Sequence, residues 1–408
     1  MCTVTGERAE RSVIRKNLHK KIRRKQTMKK NVWGVLITAA MMASLTAGCA
    51  SKSSTNDAKT TAAAESKTKE AGTEAATEAA KGKEDMTVYM VAKGFQSQYW
   101  QAVYKGAQKA AGELGVHLEF QGPDSESDIA QQVQMMNNAV QMKPAAIGLA
   151  ALDVSALNDS IKSSQDAKIP IIGFDSGVPD APKGAVVANA ATDNYKAGEV
   201  AAENTYPLIK DLIAKSSKSV RIGVLNQDAT SESIISRGLG FIDKITELIK
   251  ADGKTVCITG NDKFVTDSKT DKGNSADVIL DVAVPSKVEA SLMTTDAQTI
   301  LNKEDTICIF ASNQKTGEGL ITGDENLGRL GKDVIGVAFD SGTMIKDAIK
   351  SGKLAGAVTQ APVEIGYQTV KLAVAAAKGE SVADVDTGSQ WYTKDNMDSS
   401  DISQNLYD

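Results

Sequence analysis

The chain has 408 residues, 41% hydrophobic and 24% charged, enough apolar material for one large core and room for two, which excludes a disordered or collagen-like polymer. Residues 1–48 carry 11 Lys and Arg against 2 Asp and Glu, leaving 36 against 49 in the remainder, so the bulk of the chain is acidic and would repel a nucleic-acid backbone. Four cysteines (2, 49, 257 and 308) and two histidines (His19 and His117) are too few and too scattered for a disulfide scaffold or a thiolate–imidazole metal site, so neither a metal nor a cofactor is expected.

Met28-Lys29-Lys30 leads into the apolar run Val32 to Thr46, about fifteen residues and shorter than the ~20 a membrane-spanning helix needs. Residues 28–48 therefore read as an export signal. The run ends Leu45-Thr46-Ala47-Gly48-Cys49, which resembles the lipobox of bacterial lipoproteins, although Thr46 stands where an aliphatic residue is usual. The resemblance implies that Cys49 becomes an acylated N-terminus. Residues 1–27, basic and unpatterned, precede a complete signal and read as an extra extension or a misplaced start. From Ser51 to Asp85 the composition falls mainly to Ala, Thr, Lys, Glu, Ser and Gly, with no aromatic and no large aliphatic residue, which cannot build a core, so residues 49–85 are expected to be a lipidated Cys and a disordered tether.

Beyond Met86 short β-branched runs alternate with amphipathic helices. In the first half these are Thr87 to Val91 before Trp100 to Leu114, Leu118 to Gln121 before Ile129 to Gln141, Ala146 to Leu149 before Ser155 to Asp166, then Ile169 to Phe174. The helix ending at Leu114 places Val103, Ala107, Ala110, Ala111 and Leu114 on one side. A second series runs Val220 to Leu225, a helix near Ser233 to Ile249, Thr255 to Ile258, a helix near Ser286 to Leu301, Thr306 to Ala311 and a helix from Thr316. It continues with Val334 to Phe339, a helix near Met344 to Lys350, Ala355 to Thr359 and a helix near Val363 to Lys378. This alternation predicts an α/β fold of two similar doubly wound parallel-sheet lobes. Ligand-facing residues belong at the carboxyl ends of such strands.

Those ends carry the candidates. The first strand is followed by Lys93-Gly94-Phe95-Gln96-Ser97-Gln98-Tyr99-Trp100, an aromatic pair in a chain that is only 4% aromatic. Gly173-Phe174-Asp175-Ser176-Gly177 recurs in the second half as Ala338-Phe339-Asp340-Ser341-Gly342, each Asp at a strand exit. For each candidate a plainer role competes: core packing for Tyr99 and Trp100, helix capping for Asp175 and Asp340, pairing with Glu232 for Arg237, and turn formation for Asn313 and Gln360.

From about Met86 to Asp408 the chain resembles a type I periplasmic binding protein of the ribose/galactose family, the solute receptors of bacterial ABC sugar importers. The resemblance implies two lobes joined by a multi-strand hinge, residues 86–190 plus 361–387 forming one and 191–360 plus 388–408 the other. It also implies a ligand site of Gln96 (or Ser97), Tyr99 and Trp100 over the sugar ring, Asp175, Arg237 in Arg237-Gly238-Leu239-Gly240-Phe241, Asn313, Asp340 and Gln360. Ser176 stands where ribose binders have an Arg, and an insertion from about Thr259 to Asp281 leaves the second lobe's wall open. Carboxylate and amide acceptors, Arg and Asn donors and flat aromatics suit a guest with many hydroxyls and an apolar ring face.

The resulting expectation is a monomeric, non-enzymatic receptor, lipid-anchored at the outer face of the bacterial cytoplasmic membrane, that binds a monosaccharide or polyol and serves ABC permease subunits. A sensor passing its closed form to a membrane receptor, or a binder of a nucleoside or furanosyl autoinducer, are the alternatives. A regulator with the same lobes would need a basic helix-turn-helix ahead of Met86. Gly317-Glu318-Gly319 lacks phosphate-loop spacing, and Asp267 and Asp271 lack that of a calcium loop. Cys257 and Cys308 fall in apolar strands expected to flank the lobe's first strand, about 9.6 Å apart or two strand spacings, too far for a bridge, so both are expected as buried free thiols.

Overall fold

The computed structural model describes residues 86–408; the export signal, Cys49 and the tether lie outside the described residues. The first lobe opens with β1 (Thr87–Val91), α1 (Gln98–Leu114), β2 (His117–Gln121), α2 (Ile129–Met142), β3 (Ala146–Leu149), α3 (Val154–Asp166), β4 (Ile171–Phe174) and β5 (Val186–Ala191). β1 pairs in parallel with both β2 and β3, so the winding reverses beside its carboxyl end. A crevice at such a reversal is where doubly wound sheets hold ligands. Val103, Ala107, Ala110 and Ala111 are buried as their spacing requires, but Leu114, expected on the same face, is 37% exposed at the last turn.

The chain then crosses to the second lobe through α4 (Asn194–Lys215). There follow β6 (Val220–Leu225), α5 (Glu232–Ala251), β7 (Val256–Gly260), α6 (Asp262–Asp267), β8 (Val278–Ala283), α7 (Ala290–Leu301), β9 (Thr306–Ala311), α8 (Gln314–Asp324), β10 (Ile335–Phe339), α9 (Thr343–Lys350) and β11 (Leu354–Gln360). It returns to the first lobe with α10 (Pro362–Ala377) and β12 (Val385–Asp386), and closes on the second with β13 (Ser389–Tyr392) and the short α11 (Ser400–Ser403). The first sheet runs β12-β5-β4-β3-β1-β2 and the second β13-β11-β10-β9-β6-β8-β7, with β13 the antiparallel member on β11. Three crossings therefore join the lobes, between β5 and α4, β11 and α10, and β12 and β13.

Each sheet is covered on both faces by apolar clusters, Val88, Val103 and Phe174 against Val91, Leu149 and Ile171 in the first lobe, Ile222, Phe241 and Phe310 against Ile309, Leu320 and Ala338 in the second. Two helix pairs cross at backbone contact. A Cβ on Gly240 would stand 2.0 Å from the Tyr195 carbonyl, and one on Gly198 2.1 Å from that of Arg237. Gly106 and Gly366 play the same part between α1 and α10. These approaches fix the rotation of α5 about its axis and with it the direction of Arg237.

Two expectations about the second sheet are corrected. β8 was not anticipated, because Asp281 interrupts its apolar run; that carboxylate is satisfied by Arg221 at 3.0 Å and by Lys303. With β8 between β6 and β7, the strands of Cys257 and Cys308 lie three spacings apart, about 14 Å, rather than two; both thiols are buried and free. The segment around Thr259 to Asp281 supplies α6, covers the outer edge of β7 through Asp271 to Gly273 and enters β8. It lies at the far edge of the sheet and contributes nothing to the cleft cavity.

Candidate functional site

The carboxyl ends of the two sheets face each other across a small cavity of about 40 Å³. Tyr99, Trp100, Asp175, Arg237, Asn313, Asp340 and Gln360 all line it, with Ser97; Gln96 is exposed and outside it. The lobes touch around this space: Thr230 Oγ1 donates to the Leu152 carbonyl at 3.1 Å, the Val288 amide to Ser127 Oγ at 2.7 Å, and Gln314 Nε2 to Gln98 Oε1 at 3.1 Å.

On the first lobe Ser97 caps α1 by accepting from the Trp100 amide, which sets both aromatic residues in the opening turn. Their rings meet edge to face at 5.0 Å and 83°, and Trp100 leans edge-on against Phe174. Tyr99 donates its hydroxyl to Asp175 Oδ1 at 2.6 Å, and Trp100 Nε1 donates to Glu126 Oε1 at 3.1 Å. Burial and the neighbouring Asp175 push the Tyr99 hydroxyl well up, so it is a donor at any physiological pH. Asp175 Oδ2 lies 2.9 Å from Lys93 Nζ, and that ammonium also reaches Ser231 and Ser233 of the second lobe at 3.1 and 3.0 Å. Burial opposes the charge on Lys93, but Asp175, Glu126 and Asp228 together raise it above the usual lysine value.

On the second lobe Arg237 projects from α5. Its guanidinium lies 3.7 Å over the Phe339 ring, donates to the Ser312 carbonyl at 2.8 Å and to Asn194 Oδ1 at 2.7 Å, and faces Asp340 Oδ2 at 3.9 Å. It does not pair with Glu232, which accepts instead from Ser236. Asp340 accepts from Gln360 Nε2 at 2.7 Å and from the Gln314 amide at 3.1 Å; burial raises its carboxyl, with Arg237 and these bonds pulling against it. Asn313 is a helix cap, closing a reciprocal box with Thr316 at the start of α8 while its Nδ2 donates to Gln227 at 2.6 Å.

Capping does not explain the two strand-exit carboxylates. The caps of α2, α3 and α4 are Asp128, Asp153 and Asp193, whereas Asp175 and Asp340 take left-handed backbone angles, φ 56° and 72°. Such a conformation is uncommon outside glycine and marks positions held by their surroundings. It turns both carboxylates back over the strand ends and into the cleft.

Lys93, Glu126, Gln227, Ser233, Gln314 and Lys315 also line the cavity, though none was a candidate from sequence. Lys93 and Gln227 each stand two residues past a strand, the place the fold rule indicates, and could have been found. Glu126 lies in a polar Ser-Glu-Ser-Asp loop that looks solvated, yet its side chain is only 8% exposed, accepting from Gln227 at 2.8 Å and pairing with Lys315 at 3.0 Å. Burial alone would raise its carboxyl; Lys315, Lys93 and the Gln227 bond outweigh that and hold it at about 2. Arg237 Nε, Gln314 Oε1 and Gln360 Oε1 are buried and have no hydrogen-bond partner among the described residues.

The same architecture recurs in known proteins. A protein of Brachyspira murdochii described as an ABC transporter, LacI family transcriptional regulator superposes with a TM-score of 0.67 at 34% identity, over 79% of this chain and 99% of the other. An ABC transporter solute binding protein of Agrobacterium vitis with bound D-fucose gives 0.64 at 29% identity, over 79% and 100%. The ribose import binding protein of Salmonella typhimurium is 26% identical over 297 residues, 72% of this chain and 86% of its own. The periplasmic binding protein domain matches residues 88–381, which takes in both sheets from β1 to β11 and stops before β12, β13 and the C-terminal tail. With two parallel-sheet lobes, three crossings and a polar cleft between strand ends, this chain belongs to the periplasmic binding protein domain family, a family of binders and not of enzymes.

Proposed function

We propose that the protein is an extracytoplasmic receptor that closes its lobes around one neutral monosaccharide or related polyol and delivers it to an ABC importer. The observation that carries this is the set of buried donors and acceptors left unmatched in the cleft: Arg237 Nε, Gln314 Oε1 and Gln360 Oε1. Leaving such groups unsatisfied costs roughly 1–3 kcal/mol each, and a polyhydroxylated guest offers the hydroxyls that relieve it. Tyr99, Trp100, Asp175, Arg237, Asn313, Asp340 and Gln360 are the residues proposed to contact it, with Trp100 and Tyr99 offering ring edges and faces to its apolar side. D-fucose in the Agrobacterium vitis relative and the ribose import role of the Salmonella typhimurium protein support this class of guest.

Neutrality follows from charge pairing. Lys93 faces Asp175, Lys315 faces Glu126, and Arg237 faces Asp340. A sugar acid or amino sugar would bring a charge with no free counter-charge into a buried space, at a cost of several kcal/mol. Thermal-shift measurements on the purified protein against pentoses, hexoses, 6-deoxyhexoses and inositols, beside the matching uronic acids and hexosamines, test this directly. A neutral compound is expected to raise the melting temperature and its charged counterpart to leave it unchanged; a shift with the charged compounds alone would overturn the reading.

The sequence before Met86 supports a further part of the proposal. Acylation of Cys49 would hold the protein at the outer face of the cytoplasmic membrane, with the permease subunits as its partners. The mass of the intact membrane-extracted protein checks this: an N-terminal lipid-modified cysteine is expected, and a chain retaining residues 28–48 would contradict it.

A further inference from the structure

The C-terminal tail, beyond the part of the chain matched to the family, returns to the cleft. Met397 and Ile402 bury themselves in the second lobe's core, and Asn405 bonds to Gln390 and to Thr359, so the tail is anchored on that lobe. Its last residues then reach the loop that carries Asp340. The Tyr407 carbonyl accepts from the Gly342 amide and from Ser341 Oγ, both at 3.1 Å, and the Ser341 amide points at the Tyr407 hydroxyl at 3.4 Å. Tyr392 holds the same loop from the other side, donating its hydroxyl to the Asp340 carbonyl at 2.7 Å.

The equivalent loop of the first lobe is held differently. There Ser176 Oγ donates to the Ala151 carbonyl of its own lobe, and the Asp175 carbonyl accepts from Asn194 Nδ2 of α4 at 3.4 Å. The Tyr407 ring is the part of the tail that leaves the second lobe. It meets the Tyr99 ring edge to face at 6.0 Å and packs against the first lobe's apolar cluster. Tyr99 in turn holds Asp175. One side chain thus touches the support of both strand-exit carboxylates, and it bridges the lobes only while they are together.

We propose that the C-terminal tail is a closure strap, in which Tyr407 is a positioning residue that braces the Asp340 loop and latches onto Tyr99 of the first lobe when the cleft shuts. The strap biases the open–closed equilibrium from outside the cavity, so it adjusts how readily the cleft shuts without contacting the guest. This deepens the reading of the cleft as a closing site, but its test needs no guest.

The test is the distance between one spin label on the exposed face of each lobe, measured by double electron–electron resonance on the full chain with no sugar added. Tyr407→Ala is expected to move the open-to-closed ratio toward open by roughly three- to tenfold, the scale of one aromatic pair. Tyr407→Phe, which keeps the ring, is expected to stay close to the unmodified protein. Should the alanine variant fail to fold, Tyr407→Leu keeps apolar bulk in place while removing the ring contact and reads the same shift. Identical distance distributions for Ala, Leu and Phe variants would overturn the strap. Failure of every sugar to bind would overturn the proposed function while leaving this distance shift intact.

Discussion

Asp340 is held by Gln360, by the Gln314 amide and by the facing charge of Arg237, and Arg237 is itself only 2% exposed. Removing the carboxylate therefore does more than delete one contact to a guest, because it leaves a buried guanidinium without its counter-charge. Asp340→Asn is expected to weaken sugar binding while costing less folding stability than the ~3–5 kcal/mol of an intimate buried pair, because burial already opposes the Asp340 charge and Arg237, 3.9 Å away, keeps its bonds to Ser312 and Asn194; calorimetric unfolding without sugar separates the two effects. Glu126 gives a pH signature. Its carboxyl is held at about 2 against an ordinary 4.5, with Lys315, Lys93 and Asp228 as its charged neighbours. A depressed carboxyl contributes stability that is fully present above its unfolded value and is lost as pH falls through its folded one. Because Gln227 and Lys315 belong to the opposite lobe, closure is expected to hold from pH 7 to about 5 and to weaken from about 4.5 down toward 2, and Glu126→Gln is expected to flatten that acid limb in the same inter-lobe distance measurement. At this scale seven of the eight predicted site residues come together: six mark a strand exit or a helix start, and Arg237 stands in the second turn of α5. Gln96 does not, because the turn that presents Tyr99 and Trp100 points it to solvent. The ion-pair partners were illegible because a buried Glu126 and a solvated one have the same neighbours in sequence.

At the scale of elements, the close crossing of α4 on α5 is what aims Arg237. Gly240→Ala would set a Cβ 2.0 Å from the Tyr195 carbonyl, so the helices must separate; a loss of about 1–3 kcal/mol or more is expected, together with weaker binding through a displaced Arg237. Gly112→Ala is the matched control, on an exposed turn of α1 with open space where the Cβ would go. There the substitution is expected to stabilise by up to about 1 kcal/mol through helix propensity alone, and denaturant titration of both variants checks the contrast. Most strands and helices were legible because their apolar runs are short, β-branched and bounded by Gly, Asp or Asn. β8 was not, since a strand that buries Asp281 against Arg221 and Lys303 loses the apolar signature that identifies a strand. Its absence also displaced Cys257 by one strand in the expected sheet, and β5, α4, α6, β12, β13 and α11 were likewise not among the expected elements. Neither Asp175 nor Asp340 is the capping residue of the helix that follows it, although Asp340 accepts the first amide of α8, and both spend unfavourable backbone angles on facing the cleft.

For the whole molecule, two sheets wound the same way place their strand ends on either side of one polar space, and three crossings join them. Hinged lobes of this kind shift between open and closed states, and a guest favours closure by as much as its contacts differ between the two. The repeated Phe-Asp-Ser-Gly phrase made the two-lobe plan legible, whereas the return of the C-terminal tail over the Asp340 loop had no sequence signal, because a tail's docking site is set by tertiary packing. The most direct test of closure around a neutral sugar is small-angle X-ray scattering of the protein titrated with the sugar that gives the largest thermal shift. The account requires the radius of gyration to fall and saturate at one sugar per chain, with the change absent in Asp175→Ala. A radius that stays constant while the sugar binds, or a contraction undiminished in that variant, would contradict it.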